Sequence, residues 1–381
     1  MKKSLSIILA TFLLATALFS AGCNNADSGS DRIKLGGLAP LTGEVAVYGV
    51  SVKNGAELAV EEINANGGIL GKQVDINFLD EEGKADMAVN AYNRLMEQKV
   101  DAIIGDVTST PTAAIAQLAA SAGIPIITPS ATALNVTTFG NNLFRVCFTD
   151  PVQGLVLATF AKDNLGATKA AVLANSSSDY SMGIAESFKT KAGELGIEIV
   201  SDQTYGANDV DFRAQLSAMK ALEPDVLLVP DYYSVDSLIT AQARELGLNI
   251  PILGTDGWDG VTTTTDENDY GDLNDVYFSN HYAVDDTDSR VSSFVTKFTE
   301  KYKVAPTAFA ALAYDAVYMM KQAMEEAGST DFDKVVAAIS NINFSGITGD
   351  IRYENSGDPT KAVIIVRMVD GKYTAFTKVT A

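Results

Sequence analysis

The stretch AIIGDVTSTPTAAIAQLAASAGIPIIT, residues 102–128, decides the fold. It begins with an apolar run over 102–105, continues with helical spacing over 113–122 and returns to an apolar run over 125–128. A strand, a helix and a second strand at this spacing predict a βαβ unit in a parallel sheet. Hydroxyl residues and Pro111 follow the first strand, as expected where a helix starts.

The same alternation continues along the chain in two halves. The first half adds predicted strands at 33–38 and 74–79 and predicted helices at 50–64 and 85–98. The pattern restarts after Asp150-Pro151, with helices at 152–163, 182–195, 212–222 and 234–246 and strands at 170–174, 197–200, 226–229 and 250–253. The tail predicts three helices and then three strands, at 291–302, 309–327, 332–340, 347–353, 362–369 and 373–378. The fold class is therefore α/β, with two Rossmann-like lobes built on parallel sheets.

Length, charge and histidine content exclude several classes of protein. The 381 residues are too many for one typical core and predict two domains. A net charge of −20 makes nucleic acid an unexpected partner, because phosphate binding needs basic patches. The single histidine, His281, excludes a multi-histidine metal site, and the chain has no P-loop, G-x-S-x-G or H-E-x-x-H motif. We expect no metal, no cofactor and no catalysis, and a structural role for His281 near the lobe crossover.

The N-terminus predicts export and lipid attachment. Two lysines precede an apolar run over 5–19, which is shorter than the roughly 20 residues of a spanning helix. The sequence SAGC at 20–23 resembles a bacterial lipobox, which implies a signal peptide over 1–22, a lipidated Cys23 and a flexible tether over 23–31. The alternative is an ordinary cleaved signal with an incidental cysteine. No later segment is long and apolar enough to cross a bilayer.

Polar residues follow predicted strands where ligands bind in open α/β sheets. In the first half, hydroxyl residues fill 105–111 and 128–132, and both segments predict helix starts. Two such starts would aim N–H groups and hydroxyls at one anion, such as a carboxylate, although plain helix capping explains the same residues. In the second half, Asp256 lies among glycines after a strand. It could pair with a ligand ammonium, or it could only form an Asx-turn.

Several segments together resemble the leucine/isoleucine/valine-binding proteins. They are IKLGGLAPLTG at 33–43 with Tyr48-Gly49, GAELAVEEIN at 55–64 with GGILG at 67–71, IPIITPSAT at 124–132, LGTDGW at 253–258 and PTAFAALAY at 306–314. The resemblance covers nearly all of the mature chain. It implies a type I periplasmic-binding-protein fold, with two lobes, a three-stranded hinge and a ligand cleft between the lobes. The N-terminal lobe is then expected to comprise 32–149 and 281–346, and the C-terminal lobe 150–280 and 347–381.

The resemblance also implies a function and a set of contact residues. The ligand would be an amino acid, most simply a branched-chain one, passed to the permease complex of an ABC importer by a monomeric lipoprotein. Three hydroxyl residues of the first lobe fall on the family's carboxylate contacts: Ser109, Ser130 and Thr132. Asp256 falls on its ammonium contact. The remaining contacts fall on aromatic residues: Tyr48, Tyr180, Tyr232 and Phe309.

Two departures from the family pattern concern Asp256 and the cysteines. The best-known members have a glutamate at the position of Asp256, so the shorter side chain puts the ligand in question. They also carry a first-lobe disulfide, which this chain cannot form with Cys23 lipidated, and Cys147 is expected to be a buried, inert thiol. Three alternatives stay open: a ligand-sensing receptor, a different amino acid or amide, and an aromatic acid that would leave Asp256 without an ammonium partner.

Overall fold

The computed structural model describes residues 32–354 and 357–380. The predicted signal peptide, the tether and the lipidation site Cys23 lie outside the described residues. The chain from Ile33 onward forms one unit. Within it, two large sheets define two lobes, which we call lobe 1 and lobe 2.

Lobe 1 is built on a parallel five-stranded sheet of order β2-β1-β3-β4-β5. Its strands are β1 (Ile33–Ala39), β2 (Val74–Asp80), β3 (Ala102–Ile104), β4 (Ile126–Thr128) and β5 (Leu143–Arg145). Its connecting helices are α1 (Ala46–Ala65), α2 (Ala85–Glu97) and α3 (Ser109–Ala122). Every residue of β3 and β4 is fully buried, and all of them but Thr128 are apolar, because helices cover both faces of a parallel sheet.

Lobe 2 is built on a seven-stranded sheet of order β14-β13-β10-β9-β8-β6-β7. Its chain runs through α4 (Asp150–Asp163), β6 (Lys169–Asn175), α5 (Asp179–Glu194), β7 (Glu198–Tyr205), α6 (Arg213–Lys220), β8 (Val226–Leu228), α7 (Tyr233–Glu245), β9 (Ile252–Gly254) and β10 (Val276–Asn280). Strands β6 to β10 are parallel, as predicted. Strands β13 and β14 extend the sheet as an antiparallel hairpin, so this sheet is mixed.

The tail returns first to lobe 1 and then to lobe 2. Its elements are α8 (Ser289–Tyr302), α9 (Ala308–Ala327), α10 (Phe332–Ser340), β11 (Phe344–Gly346), β12 (Gly349–Ile351), β13 (Ala362–Val369) and β14 (Lys372–Thr380). Helix α9 packs along α1 at very short range. A Cβ on Gly55 would lie 2.0 Å from the carbonyl oxygen of Ala310, so only glycine permits this approach.

The chain passes between the lobes three times: after β5, after β10 and before β13. Near the third passage, the Tyr353 hydroxyl donates to the carbonyl of Arg145 (2.8 Å), and Arg145 forms a 2.7 Å ion pair with Asp358. Tyr353 and Asp358 therefore contact lobe 1, and these contacts favour a third crossover later than the predicted position at 347. The exact bounds of the lobes stay a prediction.

One of the two helix starts predicted in lobe 1 is wrong. Helix α3 begins at Ser109, four residues before the predicted 113, but no helix begins within 128–132. There the Thr128 hydroxyl accepts a hydrogen bond from the Ala131 amide (3.0 Å), and the Ser130 hydroxyl donates to the Val107 carbonyl (2.8 Å). These local side-chain bonds replace helical ones, and proline at 129 disfavours a helical residue before it.

Candidate ligand-binding cleft

The cleft between the lobes brings together nearly all of the predicted contact residues. One cavity is lined by Ser109, Ser130, Thr132, Tyr180, Tyr232, Asp256 and Phe309, together with Val107, Thr108 and Gly257. Its volume is about 10 Å³, roughly the room that one water molecule needs. The eighth predicted residue, Tyr48, lies one layer away and stacks on Phe309, with ring centroids 4.1 Å apart.

The lobe 1 wall of this cavity is polar but carries no charged side chain. Ser109 is the first residue of α3, and Thr108 precedes it in an extended conformation. The N-terminus of this 14-residue helix therefore faces the cleft with a partial positive charge. Ser130 and Thr132 reach the same cavity from the loop after β4. Such a wall suits a carboxylate.

Arg145 holds this loop in place, and the sequence analysis did not identify it as part of the site. Its fully buried guanidinium donates to the carbonyls of Ala131 (2.8 Å) and Ala133 (3.0 Å). A positive charge therefore lies behind the segment that carries Ser130 and Thr132. The available signal was a single charged residue inside the apolar run 143–148.

The lobe 2 wall is centred on Asp256, which begins a short 3-10 turn directly after β9. Its carboxylate accepts hydrogen bonds from the Tyr180 hydroxyl (2.6 Å) and the Gln153 amide (2.9 Å), and lies 3.1 Å from Nε2 of His281. The turn is anchored by Trp258, whose buried indole N–H donates to the Val229 carbonyl (2.9 Å). The second wall thus presents a buried negative charge, 2% exposed and held by three neighbours.

Gln153 and His281 position Asp256. Gln153 also accepts from the Asp256 backbone amide (3.0 Å) and from the Ser279 hydroxyl (2.6 Å). The ring of His281 stacks on Phe148 at 3.8 Å. Burial lowers the pKa of His281 more than the neighbouring carboxylate raises it, so the ring is neutral at pH 7 and can donate through Nε2.

Asp150 adds a second carboxyl group to the lobe 2 side of the cleft. It begins α4, and its backbone amide donates to the Thr132 carbonyl (3.1 Å), which joins the two lobes. Burial raises the pKa of its carboxyl well above the ordinary value, and the neighbouring Asp256 raises it further. The Thr132 hydroxyl partly offsets this rise. In the sequence, Asp150-Pro151 marks only the point where the strand and helix pattern restarts.

Aromatic rings from lobe 2 fill the space between the walls. Tyr180 and Tyr232 stack at 5.0 Å, and Tyr232 meets Tyr48 edge-on at 5.6 Å. The Tyr232 hydroxyl lies beside the backbone amide of Ser109, on the anion-binding wall. These rings supply an apolar lining with polar tips.

Hydrogen bonds across the cleft hold the lobes together. The Tyr48 hydroxyl donates to the Gly257 carbonyl and accepts from the Tyr233 amide (3.2 Å). The Tyr233 hydroxyl donates to the Glu44 carbonyl (2.7 Å). At the cleft edge, the Asn135 amide donates to Asp179 (3.1 Å). The structure is therefore closed, and the lobes and rings must separate to admit any ligand larger than water.

The cleft is suited to binding a zwitterion. One wall stabilises a negative head group and the other a positive one, with aromatic rings for an apolar substituent. The described residues contain no group of three or more His, Cys, Asp or Glu side chains that could hold a metal ion. Cys147 lies under the lobe 1 loop as a free, fully buried thiol, and burial raises its pKa to about 12.

Comparison with known proteins identifies the family. Residues 32–372 match the family model described as periplasmic binding protein. The chain belongs to this family. Periplasmic binding proteins are substrate-binding proteins of transporters and act outside the cytoplasm. No helix within 32–354 or 357–380 is long and apolar enough to span a membrane.

Solved periplasmic binding proteins share the whole fold. LivK from Thermotoga maritima, a leucine-binding protein, matches with a TM-score of 0.85 and 34% identity over 91% of this chain and 99% of its own. LivJ from Streptococcus pneumoniae, in complex with isoleucine, matches with a TM-score of 0.85 and 32% identity over 92% and 99%. A Leu/Ile/Val-binding protein of Rhizobium johnstonii is 32% identical over 86% of this chain and 89% of its own. The predicted family and fold class are confirmed.

Proposed function

We propose that this periplasmic binding protein captures a branched-chain amino acid for an ABC importer. The observation that carries the proposal is the opposition of the α3 N-terminus and Asp256 across one cavity. An α-amino acid carries a negative and a positive group on one carbon, and it satisfies both walls at once. The relationship to LivK and to isoleucine-bound LivJ supports a branched aliphatic side chain.

In the proposed complex, the ligand's carboxylate lies against lobe 1. The two carboxylate oxygens would accept hydrogen bonds from the Ser109 amide and hydroxyl and from the Thr132 hydroxyl. The Ser130 hydroxyl would donate as well once it releases the Val107 carbonyl. Hydrogen bonds to a charged group in a dry site contribute about 1.5–3 kcal/mol each. In the closed structure the Tyr232 hydroxyl lies at the Ser109 amide, so this ring would move aside when the carboxylate binds.

In the same proposed complex, the ligand's ammonium lies against Asp256. Tyr180, Gln153 and His281 occupy three of about four acceptor positions on this carboxylate. One position is left, and the ammonium would take it or replace the Tyr180 hydroxyl. The apolar side chain would then contact the rings of Tyr48, Tyr180, Tyr232 and Phe309.

Ligand capture by this arrangement requires the lobes to open and close about the three crossovers. Because the two charged groups of the ligand are held by opposite lobes, only the closed form makes both contacts. The ligand therefore favours closure by its differential affinity for the two states. The same closure could report to a sensor, but the transporter relatives favour import, and the charge-paired cleft favours binding over catalysis.

Membrane attachment through Cys23 belongs to the same proposal. The signal peptide 1–22 would be removed, and the lipidated Cys23 would tether the lobes to the outer side of the cell membrane. Cys23→Ala should release the protein from the membrane fraction, while Cys147→Ala should leave it bound. Mass spectrometry of the mature N-terminus should show an acylated cysteine, and an unmodified residue there contradicts the anchor.

A ligand screen tests the amino-acid assignment. A ligand that binds only the folded state raises the melting temperature. Leucine, isoleucine and valine should each raise it, and calorimetry should give one site per chain. Benzoate, which lacks the ammonium, and short aliphatic amides, which lack both head-group charges, serve as controls. A shift by benzoate together with no shift by the amino acids overturns the assignment.

A further inference from the structure

A second cavity lies at the crossovers, separate from the ligand cleft. It has a volume of about 310 Å³, and we call it the hinge cavity. Its walls come from the second crossover, around His281 to Val291, and from the tail segments that contain Thr348 and Lys361. Segments that change when the lobes move therefore form its walls. No contact proposed for the amino-acid ligand lies in it.

A buried ammonium defines the chemistry of this cavity. Lys361 is 5% exposed, and its Nζ donates to the Thr348 hydroxyl at 2.7 Å. Among the residues that the structure describes, no carboxylate oxygen lies within 4.0 Å of this Nζ. The nearby Asp315 accepts the Thr348 hydroxyl (2.6 Å) and the Ile347 amide (2.9 Å) instead. An ammonium has three protons to donate, so Lys361 can take an anionic acceptor.

Burial lowers the pKa of Lys361 to about 8, an effect that Asp315 partly offsets. The group is therefore mostly protonated at pH 7 and gains from an anionic partner. A bound anion would stabilise the charged form in the way that an ion pair does in a low-dielectric site.

His281 connects the hinge cavity to the ligand cleft. It lines the hinge cavity, and its Nε2 lies 3.1 Å from the Asp256 carboxylate. Its other ring nitrogen, Nδ1, is buried and makes no hydrogen bond to any described residue. The fully buried ring thus contacts Asp256 on one side and lies close enough to Lys361 that, in addition to burial, this positive charge lowers the pKa of the imidazole.

The other charged groups of the cavity restrict the anion. Arg290 pairs with Asp288 at 2.8 Å, which neutralises both. Asp286 and Asp350 line the same walls and repel multiply charged anions such as phosphate. The positive charge of Lys378 offsets the negative charge of one of these two aspartates. Val291 and Ile364 add aliphatic surface. The walls suit one negative charge on a small apolar body.

We propose that the hinge cavity is a second ligand site, which binds a small aliphatic monocarboxylate through Lys361 and weakens binding in the cleft through His281. The charge of Lys361 disfavours a protonated imidazole at His281. A carboxylate bound to Lys361 offsets that charge, and an imidazolium at His281 neutralises Asp256. The ammonium of the cleft ligand then gains less from Asp256. The coupling rests on the proposed amino-acid function, whereas the hinge site itself does not.

Crystals of the mature protein grown with 3-bromopropionate locate the site directly. Anomalous scattering should place bromine in the hinge cavity of the wild type and of Lys334→Met, which removes an exposed lysine of α10. The peak should be absent in Lys361→Met. Three outcomes overturn the hinge site. They are bromine only in the cleft, bromine at surface positions as an adventitious additive only, and an equal peak in Lys361→Met.

Calorimetry measures the same site in solution with propionate. Its affinity should fall at least about tenfold in Lys361→Met, the factor that corresponds to losing one charge-assisted contact. Ala362→Leu keeps the lysine but fills the cavity from β13, and it should show the same loss. Agreement between the two variants excludes misfolding as the cause. Unchanged propionate binding in both variants overturns the proposal.

The coupling is measured as the change in leucine affinity at saturating propionate. The Kd for leucine should rise roughly fivefold in the wild type, a typical size for coupled sites, and stay constant in Lys361→Met. Constant leucine affinity in the wild type overturns the coupling alone. Absence of leucine binding with bromine still in the hinge cavity refutes the proposed function and leaves the hinge site standing.

Discussion

The two walls of the cleft differ in charge. The lobe 1 wall offers neutral hydroxyls and a helix N-terminus, from Ser109, Ser130 and Thr132, whereas the lobe 2 wall offers the carboxylate of Asp256. Each wall alone complements only half of a zwitterion. Selectivity for amino acids therefore depends on closure, because only the closed form brings both walls within reach of one ligand.

The lobe 1 wall carries no negatively charged side chain, although two acidic residues lie close behind it. Asp106 directly precedes Val107, and it contacts Glu81 in a fully buried pair. Burial raises the pKa of Glu81 to about 9, aided by its neighbour, and burial raises that of Asp106 to about 7. The pair thus retains protons that isolated carboxyls would lose, and the wall stays able to accept an anion.

Removing the charge of the lobe 2 wall should have the largest effect. Asp256→Asn keeps the shape but leaves a ligand ammonium unpaired in a buried site, which is expected to weaken leucine binding by about 3–5 kcal/mol. By contrast, 4-methylpentanoate, which is leucine without its amino group, should bind the variant at least as well as the wild type. Calorimetry with both ligands measures the difference.

Asp163→Asn is the matched control for this change, because Asp163 is an exposed acid at the end of α4 in the same lobe. It should leave both affinities unaltered. Near-normal leucine affinity in Asp256→Asn would remove Asp256 from the site and end the contrast between the walls.

The protonated pair of Glu81 and Asp106, behind the lobe 1 wall, should make the free energy of unfolding depend on pH. Free carboxyls of glutamate and aspartate lose their protons near pH 4, whereas the folded pair retains protons to about pH 9 and pH 7. The stabilisation is complete below about pH 4 and is lost as pH rises, by about 1.4 kcal/mol per pH unit for each extra proton. Glu81→Gln should flatten this decline between about pH 5 and pH 9.

Chemical unfolding at a series of pH values measures that slope. Glu97→Gln, an exposed change on α2, should keep the slope of the wild type. Parallel curves for the wild type and Glu81→Gln would show that the pair is ionised in the folded state.

A single hydroxyl of the lobe 1 wall should matter less than the carboxylate opposite. Thr132→Val keeps the shape and removes one donor to the ligand carboxylate, so leucine affinity should fall by about 1.5–3 kcal/mol. Thr296→Val, on the exposed face of α8, is the control. A loss as large as that of Asp256→Asn would contradict the ranking of the two walls.

The smallest effect is expected at the contact that joins the walls. Tyr48→Phe removes the hydroxyl that bonds Gly257 and Tyr233 across the cleft, which shifts the lobes toward opening by about 1 kcal/mol. Small-angle X-ray scattering without ligand should show a larger radius of gyration. Tyr302→Phe removes a hydroxyl that donates to the Asn54 carbonyl (2.9 Å), and it should scatter like the wild type. Identical scattering from the wild type and both variants would mean that Tyr48 does not restrain the lobes.

The fold could be predicted because strands and helices alternate locally, as in 102–128. The direction of the tail strands could not be predicted, because an apolar run such as that of β13 has the same composition in either orientation. Its pairing with β10 and β14 makes it antiparallel. The loop at 128–132 escaped prediction for a related reason. Its hydroxyls can cap a helix or bond locally, and the choice depends on Val107, which lies on another strand end.

The predicted contacts of the cleft were found by resemblance, and the residues that position them were not. Gln153 lies 103 positions before Asp256, and His281 lies 25 positions after it. Nothing in their local sequence marks these contacts, since Gln153 lies in α4 and His281 follows β10, and both meet Asp256 only in the folded lobe. Arg145 left a weak signal, a charge among apolar residues, but its targets at 131 and 133 follow only from the folded loop.

Trp258 is the only tryptophan of the chain, and it sits two residues after Asp256 in the turn of the lobe 2 wall. Its fluorescence emission therefore comes from one known place. Because its indole is buried and hydrogen-bonded within lobe 2, a spectral change on adding a solute reports on this turn alone. The native chain can be followed in stopped-flow experiments without an attached dye.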